Sequence, residues 1–231
     1  MSSTFETPQF ERVSATLVER ARAFQSAILC DVFGRRGTLN ARVQALNPSM
    51  KVAGPAFTVE VRPGDNLMFH VALALANPGD VIIVDGKGDE TCALFGELMV
   101  AQSQAAGHAG LVVDAAGRDT DTLAGGTFPI FSAGRNPCGP TKGLAGTICK
   151  PISVAGAPVQ PGDLVFGDAD GVVVIPRADV PMVLEAAEKK LASEKQRLDE
   201  IARGKLVSPW LNAALKSAGL PTVKDEPRRP S

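Results

Sequence analysis

The chain has no tyrosine, one tryptophan and two histidines in 231 residues. Recognition by stacking nucleic-acid bases on aromatic side chains therefore has little to work with. Lys and Arg number 24 against 25 Asp and Glu, so no global basic surface points to a nucleic-acid partner either. The four cysteines, Cys30, Cys92, Cys138 and Cys149, form no C-x-x-C pair and match no zinc spacing. Free thiols in a reducing cytoplasm are the simplest expectation. No apolar run approaches the ~18 residues of a membrane span, so no membrane partner is expected. The opening MSSTFETPQFER has neither a basic start nor an apolar stretch, which excludes a secretory signal by pattern. No solenoid-type repeat is present.

What is there is a globular composition, 45% hydrophobic and 21% charged, long enough to bury a core without staples. Residues 9–35 carry apolar positions at helical spacing and stop at Gly34 and Gly37, predicting a helix. Residues 52–62 alternate and predict a strand, followed by the turn Pro63-Gly64-Asp65-Asn66. The run NLMFHVALALA predicts a second helix, ending before Pro78-Gly79. Two short apolar runs, VIIVD at 81–85 and LVVD at 111–114, each end in Asp followed by small residues. Residues 93–106 predict a helix between them, stopped by Gly107. Strand, helix, strand is a crossover unit of a layered α/β domain. Short strands are expected near 128–132, 151–154, 164–166 and 172–175. Asp179 as N-cap, Pro181 in the first turn and Gly204 past the end frame a long terminal helix. A single domain over 1–220 and a polar, disordered tail over 221–231 complete the expected layout.

Three places could carry chemistry. Gly96-Glu97-Leu98-Met99 lies at the start of the 93–106 helix. Early helical amides lack partners and the dipole favours anions there, so the Leu98 and Met99 amides could hold a carboxylate. Alternatively, Glu97 merely complements the dipole. Gly117-Arg118-Asp119 follows a strand, where ligands of open α/β sheets bind. Arg118 offers a planar fork for an acid group and Asp119 a hard oxygen for a cation such as Mg²⁺, unless the two are an ordinary surface pair. Glu194 falls on the apolar stripe of the terminal helix, between Leu191 and Leu198 with Ile201 beyond. It either reaches a site or a neighbouring subunit, or sits at the stripe's edge. Elsewhere the expectations are structural. His70 should be a hydrogen-bonded structural histidine, His108 should be exposed at a helix end, and Asp168-Ala169-Asp170-Gly171 should be a hairpin turn, not a calcium loop.

The blocks GPAFTVEVRPGDNLMFHVAL, NPGDVIIVD, FGELMVAQSQAAGHAGLVVDAAGRDTDTL and PGDLVFGDADGVVVIPR resemble, in the same order, the 4-hydroxy-4-methyl-2-oxoglutarate / 4-carboxy-4-hydroxy-2-oxoadipate aldolases. These belong to the superfamily of the regulator of ribonuclease E activity (RraA-like). The similarity runs from about residue 25 to 220, and Phe95–Leu123 is its most specific part. The resemblance implies a layered α/β sandwich with N-terminal helices and a long C-terminal helix, assembled as a homotrimer or homohexamer with sites between subunits. It implies that Asp119 binds Mg²⁺ or Mn²⁺, that Arg118 binds pyruvate or the substrate's bridging oxygen, and that the Gly96, Glu97, Leu98 and Met99 amide loop holds the pyruvyl carboxylate. Glu97 stands where these aldolases carry an acidic residue, often Asp, that helps activate water. Glu194 stands where they place a carboxylate from an adjacent subunit. The implied activity is metal-dependent (class II) cleavage of a small-molecule 4-hydroxy-2-oxo acid to pyruvate, with oxaloacetate decarboxylation as a side activity. One segment, Asn136–Lys142, departs from the best-known aldolases, which lack the Pro between Gly and Thr. The alternative is a non-enzymatic regulator that binds a ribonuclease, like the superfamily's namesake. That relative has Gly in place of Glu97 and lacks the long acidic C-terminal helix.

Overall fold

The computed structural model describes residues 4–224, and the chain divides after Glu185 into two compact units. The first opens with helices α1 (Ala15–Ala21) and α2 (Ser26–Val32) and strands β1 (Gln44–Ala45) and β2 (Val52–Glu60). Helices and strands then alternate: α3 (Leu67–Leu75), β3 (Val81–Phe95), α4 (Glu97–Ala105), β4 (Gly110–Gly117), α5 (Thr120–Ala124) and β5 (Ile130–Arg135). Five short strands follow: β6 (Thr147–Ile148), β7 (Ile152–Val154), β8 (Ala157–Val159), β9 (Leu164–Asp168) and β10 (Gly171–Ile175). Helix α6 (Val180–Ala202) begins in the first unit and continues into the second, which also holds α7 (Leu211–Ser217). Among the described residues no helix is long and apolar enough to cross a membrane. From residue 225 on, the tail expected to be disordered lies outside the described residues.

The apolar runs became the buried centre of a mixed sheet ordered β1-β5-β4-β3-β2-β9-β10, with β6 beside β2. Strands β2, β3, β4 and β5 are parallel, with Ala56 opposite Val81, Val81 opposite Gly110 and Leu111 opposite Ile130. Residues 81–84 and 111–113 are fully buried, as expected of parallel strands covered on both faces. One face packs Phe57, Ile82, Val84, Leu94 and Leu111 against α3 and α4. The other packs Val81, Ile83, Val112 and Phe131 with residues of β8, β9 and β10.

Two expectations are corrected. The helix predicted over 9–35 is two helices, although Val18, Ala21, Phe24 and Ile28 are buried in one continuing helical period. Gln25 is extended (φ −104, ψ 152), and the next residue is pinned by Asp168, which accepts from Ser26 N at 2.8 Å and Ser26 Oγ at 2.6 Å. Strand β3 does not stop at Asp85. It bulges through residues 85–92, with Lys87 and Gly88 at φ 61 and 68, and returns to pair Ala93 and Phe95 with β4. The sheet therefore takes the residues read as the first turn of a helix, and α4 starts at Glu97.

The hairpin expected at Asp168–Gly171 joins β9 to β10, with those two residues opposite each other. Gly107, in the left-handed region at φ 75, follows α4, and its amide bonds Gln104 O at 3.0 Å. In the second unit Gly204 (φ 86) closes α6 by donating to Ile201 O at 2.9 Å.

The end of β3 meets the end of β4 where Phe95 lies opposite Gly117. A Cβ on Gly117 would stand 2.3 Å from the Phe95 ring, which is itself buried. Gly117→Ala is therefore expected to cost about 1–3 kcal/mol, the usual scale of overpacking a filled core. The midpoint of urea unfolding measures it, and an unchanged midpoint would mean that the ring yields without cost.

Candidate active site

Beyond the Phe95–Gly117 pair the two strands open into the Gly96–Met99 and Arg118–Asp119 segments. Arg118 N donates to Phe95 O at 3.0 Å, and Glu97 N donates to Asp119 Oδ2 at 2.9 Å. Gly96 permits this approach, because a Cβ there would fall 2.5 Å from Asp119 Oδ2 and 3.0 Å from Arg118 Cγ. Asp119 is left-handed (φ 58, ψ 28) and makes no side-chain cap to α5. Its carboxylate turns to α4 instead. Strain of this kind persists only where the surroundings hold it.

The first amides of α4 are mostly used. Met99 N and Val100 N both donate to Gly96 O at 3.1 Å, and Glu97 N is taken by Asp119. Among the described residues Leu98 N has no acceptor, so the expected pair of open amides narrows to one. It keeps the positive end of the helix dipole behind it.

Two cavities meet here. The larger, about 630 Å³, is lined by Glu97, Arg118, Asp119, Asp121, Arg135 and Asn136 among others. The smaller, about 140 Å³, is lined by Asn66, His70, residues 93–99, Arg118, Asp119, Pro140 and Lys142. Glu97, Arg118 and Asp119 belong to both. Arg118 Nε stands 3.8 Å from Asp119 Oδ2, with both side chains about half exposed.

The smaller cavity contains Asn66, which sequence reasoning passed over, and His70, which it read as structural. Asn66 Nδ2 donates to Leu94 O at 2.8 Å and approaches Met99 Sδ at 3.3 Å, while the buried Oδ1 has no partner. His70 Nε2 is likewise buried without a partner, against the expectation of a hydrogen-bonded structural histidine. Burial, and then the charge of Lys142, lower the His70 pKa. A signal was available: Asn66 and His70 are four residues apart, on one face of an otherwise apolar helix. His108 is also corrected. It is buried, with Nδ1 on Ser103 Oγ at 2.9 Å and Nε2 on Ala76 O at 3.3 Å. A carbonyl can only accept, so Nε2 carries the proton.

The divergent segment Asn136–Lys142 forms walls of both cavities. A Cβ on Gly139 would lie 3.3 Å from Arg118 Nη1, so this segment passes close over the guanidinium. Asn136 Nδ2 donates to Glu90 O at 2.8 Å, and Ala93 N donates to Cys138 O at 2.8 Å. Its far end is fastened by Asp65, which is buried. Asp65 Oδ2 accepts from Thr141 Oγ1 at 2.7 Å, Gly143 N at 2.7 Å and Leu144 N at 3.1 Å, and Oδ1 accepts from Leu67 N at 2.9 Å.

Glu194 belongs to the second unit, where it is about half exposed and ion-paired with Lys190, 3.0 Å away and one turn earlier. Within the first unit the structure thus brings Glu97, Leu98, Arg118 and Asp119 together. No group of three or more His, Cys, Asp or Glu suited to a metal occurs among the described residues. The carboxylates of Glu97, Asp119 and Asp121 on one cavity wall are hard oxygen donors. They fit a cation such as Mg²⁺ or Mn²⁺ that takes one protein ligand and fills its other positions with water and substrate.

A model of the RraA-like (Aldolase/RraA) family matches residues 26–174. The chain belongs to that family. The matched span holds every site residue named above except Glu194. A protein of Halalkalibacterium halodurans named "Putative 4-hydroxy-4-methyl-2-oxoglutarate aldolase" is 40% identical over 180 residues, covering 78% of this chain and 86% of that one. A Burkholderia mallei protein of the same name is 34% identical over 157 residues, 65% of this chain and 94% of its own. Among solved structures, Streptomyces coelicolor RraAS2, described as an unusual member of the RNase ES inhibitor RraA protein family, superposes with a TM-score of 0.72 at 28% identity, covering 84% of this chain and 99% of that one.

The Asp65 fastening makes a pH-dependent prediction. Burial pushes its pKa up, but the Gly143 and Leu67 amides, the Thr141 hydroxyl and the Leu144 amide outweigh this, and the net direction is down. A depressed folded pKa gives stability that is fully present above the unfolded value of about 3.9 and is lost as pH falls through the folded value. Asp65→Asn should therefore be less stable than the parent at pH 7, and the gap in urea midpoints should shrink below about pH 4. A gap that stays constant with pH would rule out the carboxylate as the fastener.

Proposed function

We propose that the protein is a divalent-cation-dependent aldolase that cleaves 4-hydroxy-2-oxo acids, such as 4-hydroxy-4-methyl-2-oxoglutarate or 4-carboxy-4-hydroxy-2-oxoadipate, to pyruvate and a second oxo acid. The observation that carries this reading is the 2.9 Å bond from Glu97 N to Asp119 Oδ2. It puts a helix N-terminus, two carboxylates and an arginine around one space. In this reading Leu98 N receives the substrate's C1 carboxylate. Arg118 directs its N–H groups at the oxygens on which charge grows. Glu97 takes up, through water, the proton of the C4 hydroxyl. The C3–C4 bond then breaks and its electron pair passes into the 2-oxo group, giving the enolate of pyruvate, which is protonated at C3. Asp119 would hold Mg²⁺ or Mn²⁺, and the bound cation supplies an electron sink at the 2-oxo oxygen. Loss of CO₂ from oxaloacetate yields the same enolate, so decarboxylation accompanies the main activity. No lysine Schiff base is needed for this route.

Two further parts of the reading concern assembly. Leu191, Leu198 and Ile201 on α6 are exposed, and an exposed apolar stripe suits packing between copies. We assign a homotrimer or homohexamer in which Glu194 serves a neighbouring copy's site. The competing regulator reading draws support from the likeness to RraAS2. Glu97 favours the enzyme, since a regulator has no need of a carboxylate in that place.

Pyruvate release coupled to lactate dehydrogenase, with a panel of 4-hydroxy-2-oxo acids, tests the proposal. Activity should vanish in excess chelator and return with Mg²⁺ or Mn²⁺, and full turnover by verified metal-free protein would falsify the mechanism. Arg118→Ala should lower kcat at least ~100-fold, the scale of losing one charge-stabilising donor, and Lys should rescue poorly for want of the planar fork. A change confined to KM counts against that role. For Glu194, inactive Asp119→Ala and Glu194→Ala proteins should regain some activity when their subunits exchange. Verified exchange without recovery would place Glu194 outside any shared site. If pyruvate is never released while a ribonuclease is captured in a pull-down, the regulator reading replaces this one.

A further inference from the structure

Arg135 is the last residue of β5, and register sets it directly opposite Gly117. Asn136 N donates to Gly117 O at 3.0 Å, which fixes the backbone just beyond it. Arg135 is thus one strand away from Arg118, and both line the larger cavity. Other cavity-lining arginines are held by carboxylates: Arg12 by Asp80 at 2.7 Å, Arg42 by Asp114 at 2.8 Å and Arg177 by Glu11 at 2.6 Å. The Arg135 side chain has no ion pair or hydrogen bond among the described residues, and the Arg118 side chain has only the 3.8 Å approach of Asp119. Glu97, Asp119 and Asp121 line the same cavity, and among the described residues none of them pairs with Arg135, whose planar fork is therefore open to an anion.

The two arginines are not equivalent. Arg118 lines both cavities, whereas Arg135 lines only the larger, and Asn66 and His70 only the smaller. The site therefore has an inner end and an outer end, with Arg118 between them. We propose that Arg135 is a specificity-determining residue that binds the second, distal carboxylate of the 2-oxo acid, the one beyond the reacting carbon. This deepens the aldolase reading and rests on it for the statement that the ligand is cleaved. The inner end takes the 2-oxo acid group common to all candidates. The outer end, through the planar fork of Arg135, separates dicarboxylates from otherwise similar monoacids.

The test separates binding from cleavage. 2-Oxoglutarate and 2-oxobutanoate differ only in the distal carboxylate, and each is titrated calorimetrically into the full chain with Mg²⁺ present. The parent should bind 2-oxoglutarate about 10- to 100-fold more tightly, the range for a hydrogen bond to a charged group. Arg135→Gln should bring that ratio close to one and leave 2-oxobutanoate affinity unchanged, while Arg135→Lys keeps part of the preference. Thermal melting of each variant checks that the fold is intact, as expected for an exposed side chain. A parent without preference, or an Arg135→Gln protein that keeps it, overturns the proposal. The pyruvate-release assay on the parent judges the aldolase reading separately. Release without a carboxylate preference leaves that reading standing and removes Arg135, and preference without release does the reverse.

Discussion

The hydrogen bond from Glu97 N to Asp119 Oδ2 ties together segments that leave two neighbouring parallel strands. Together with the bond from Arg118 N to Phe95 O, it fixes Arg118 relative to the amides of α4. The bond forms only because the chain makes room twice. At Gly96 a side chain would collide with the carboxylate, and at Gly117 it would collide with the Phe95 ring. It also needs Asp119 in a left-handed conformation, a modest strain that the Leu123 amide on its carbonyl helps to retain. Strand pairing, glycine placement and backbone strain thus converge on one geometry, in which a carboxylate faces a helix N-terminus.

The same device recurs through the first unit. Asp65, Asp80, Asp114 and Asp168 are all buried, and each is matched by several donors. Asp80 takes Arg12 and the Asn77 amide. Asp114 takes Arg42 and the Ala155 amide. Asp168 takes Ser26 and the Asp170 amide. A buried carboxylate is tolerated only when so matched, and each one fixes a loop that has little apolar surface of its own. The sheet supplies stability through its two apolar faces, and the carboxylates fix where the loops between strands must lie.

Much of this was legible from residue order. The runs at 81–85 and 111–114, the intervening helix and Gly107 define a crossover unit, and the loop past its second strand holds Arg118 and Asp119. Illegible features depended on distant partners. The break at Gln25 arises because Asp168, 142 residues on from Ser26, holds the second helix, while the apolar period continues across it. The bulge in β3 begins in the glycine-rich stretch 85–88, where the apolar run ends, and the return of residues 93–95 to the sheet is fixed by β4. His70 looked structural because the helical period assigns it to an apolar run. The four-residue spacing from Asn66 sets the two on one face, but only the packing around that face leaves its Nε2 in a cavity without a partner. Arg135 gave no signal at all, since only strand register places it near Arg118.

Gly96 and Gly117 also govern which changes the chain can explore. Each is closed to any side chain, one by the Asp119 carboxylate and one by the Phe95 ring, so evolutionary drift at the centre of the candidate site is stopped at the backbone. The Asn136–Lys142 segment stands in another regime. It is mostly exposed, fastened by a few hydrogen bonds and by Asp65 from outside itself, and at Gly139 it lies close to Arg118. Insertions or replacements there would reshape the walls of both cavities while leaving the Arg118–Asp119 geometry intact. Duplicated copies of such a gene could therefore diverge in what they accept long before they diverge in what they do to it.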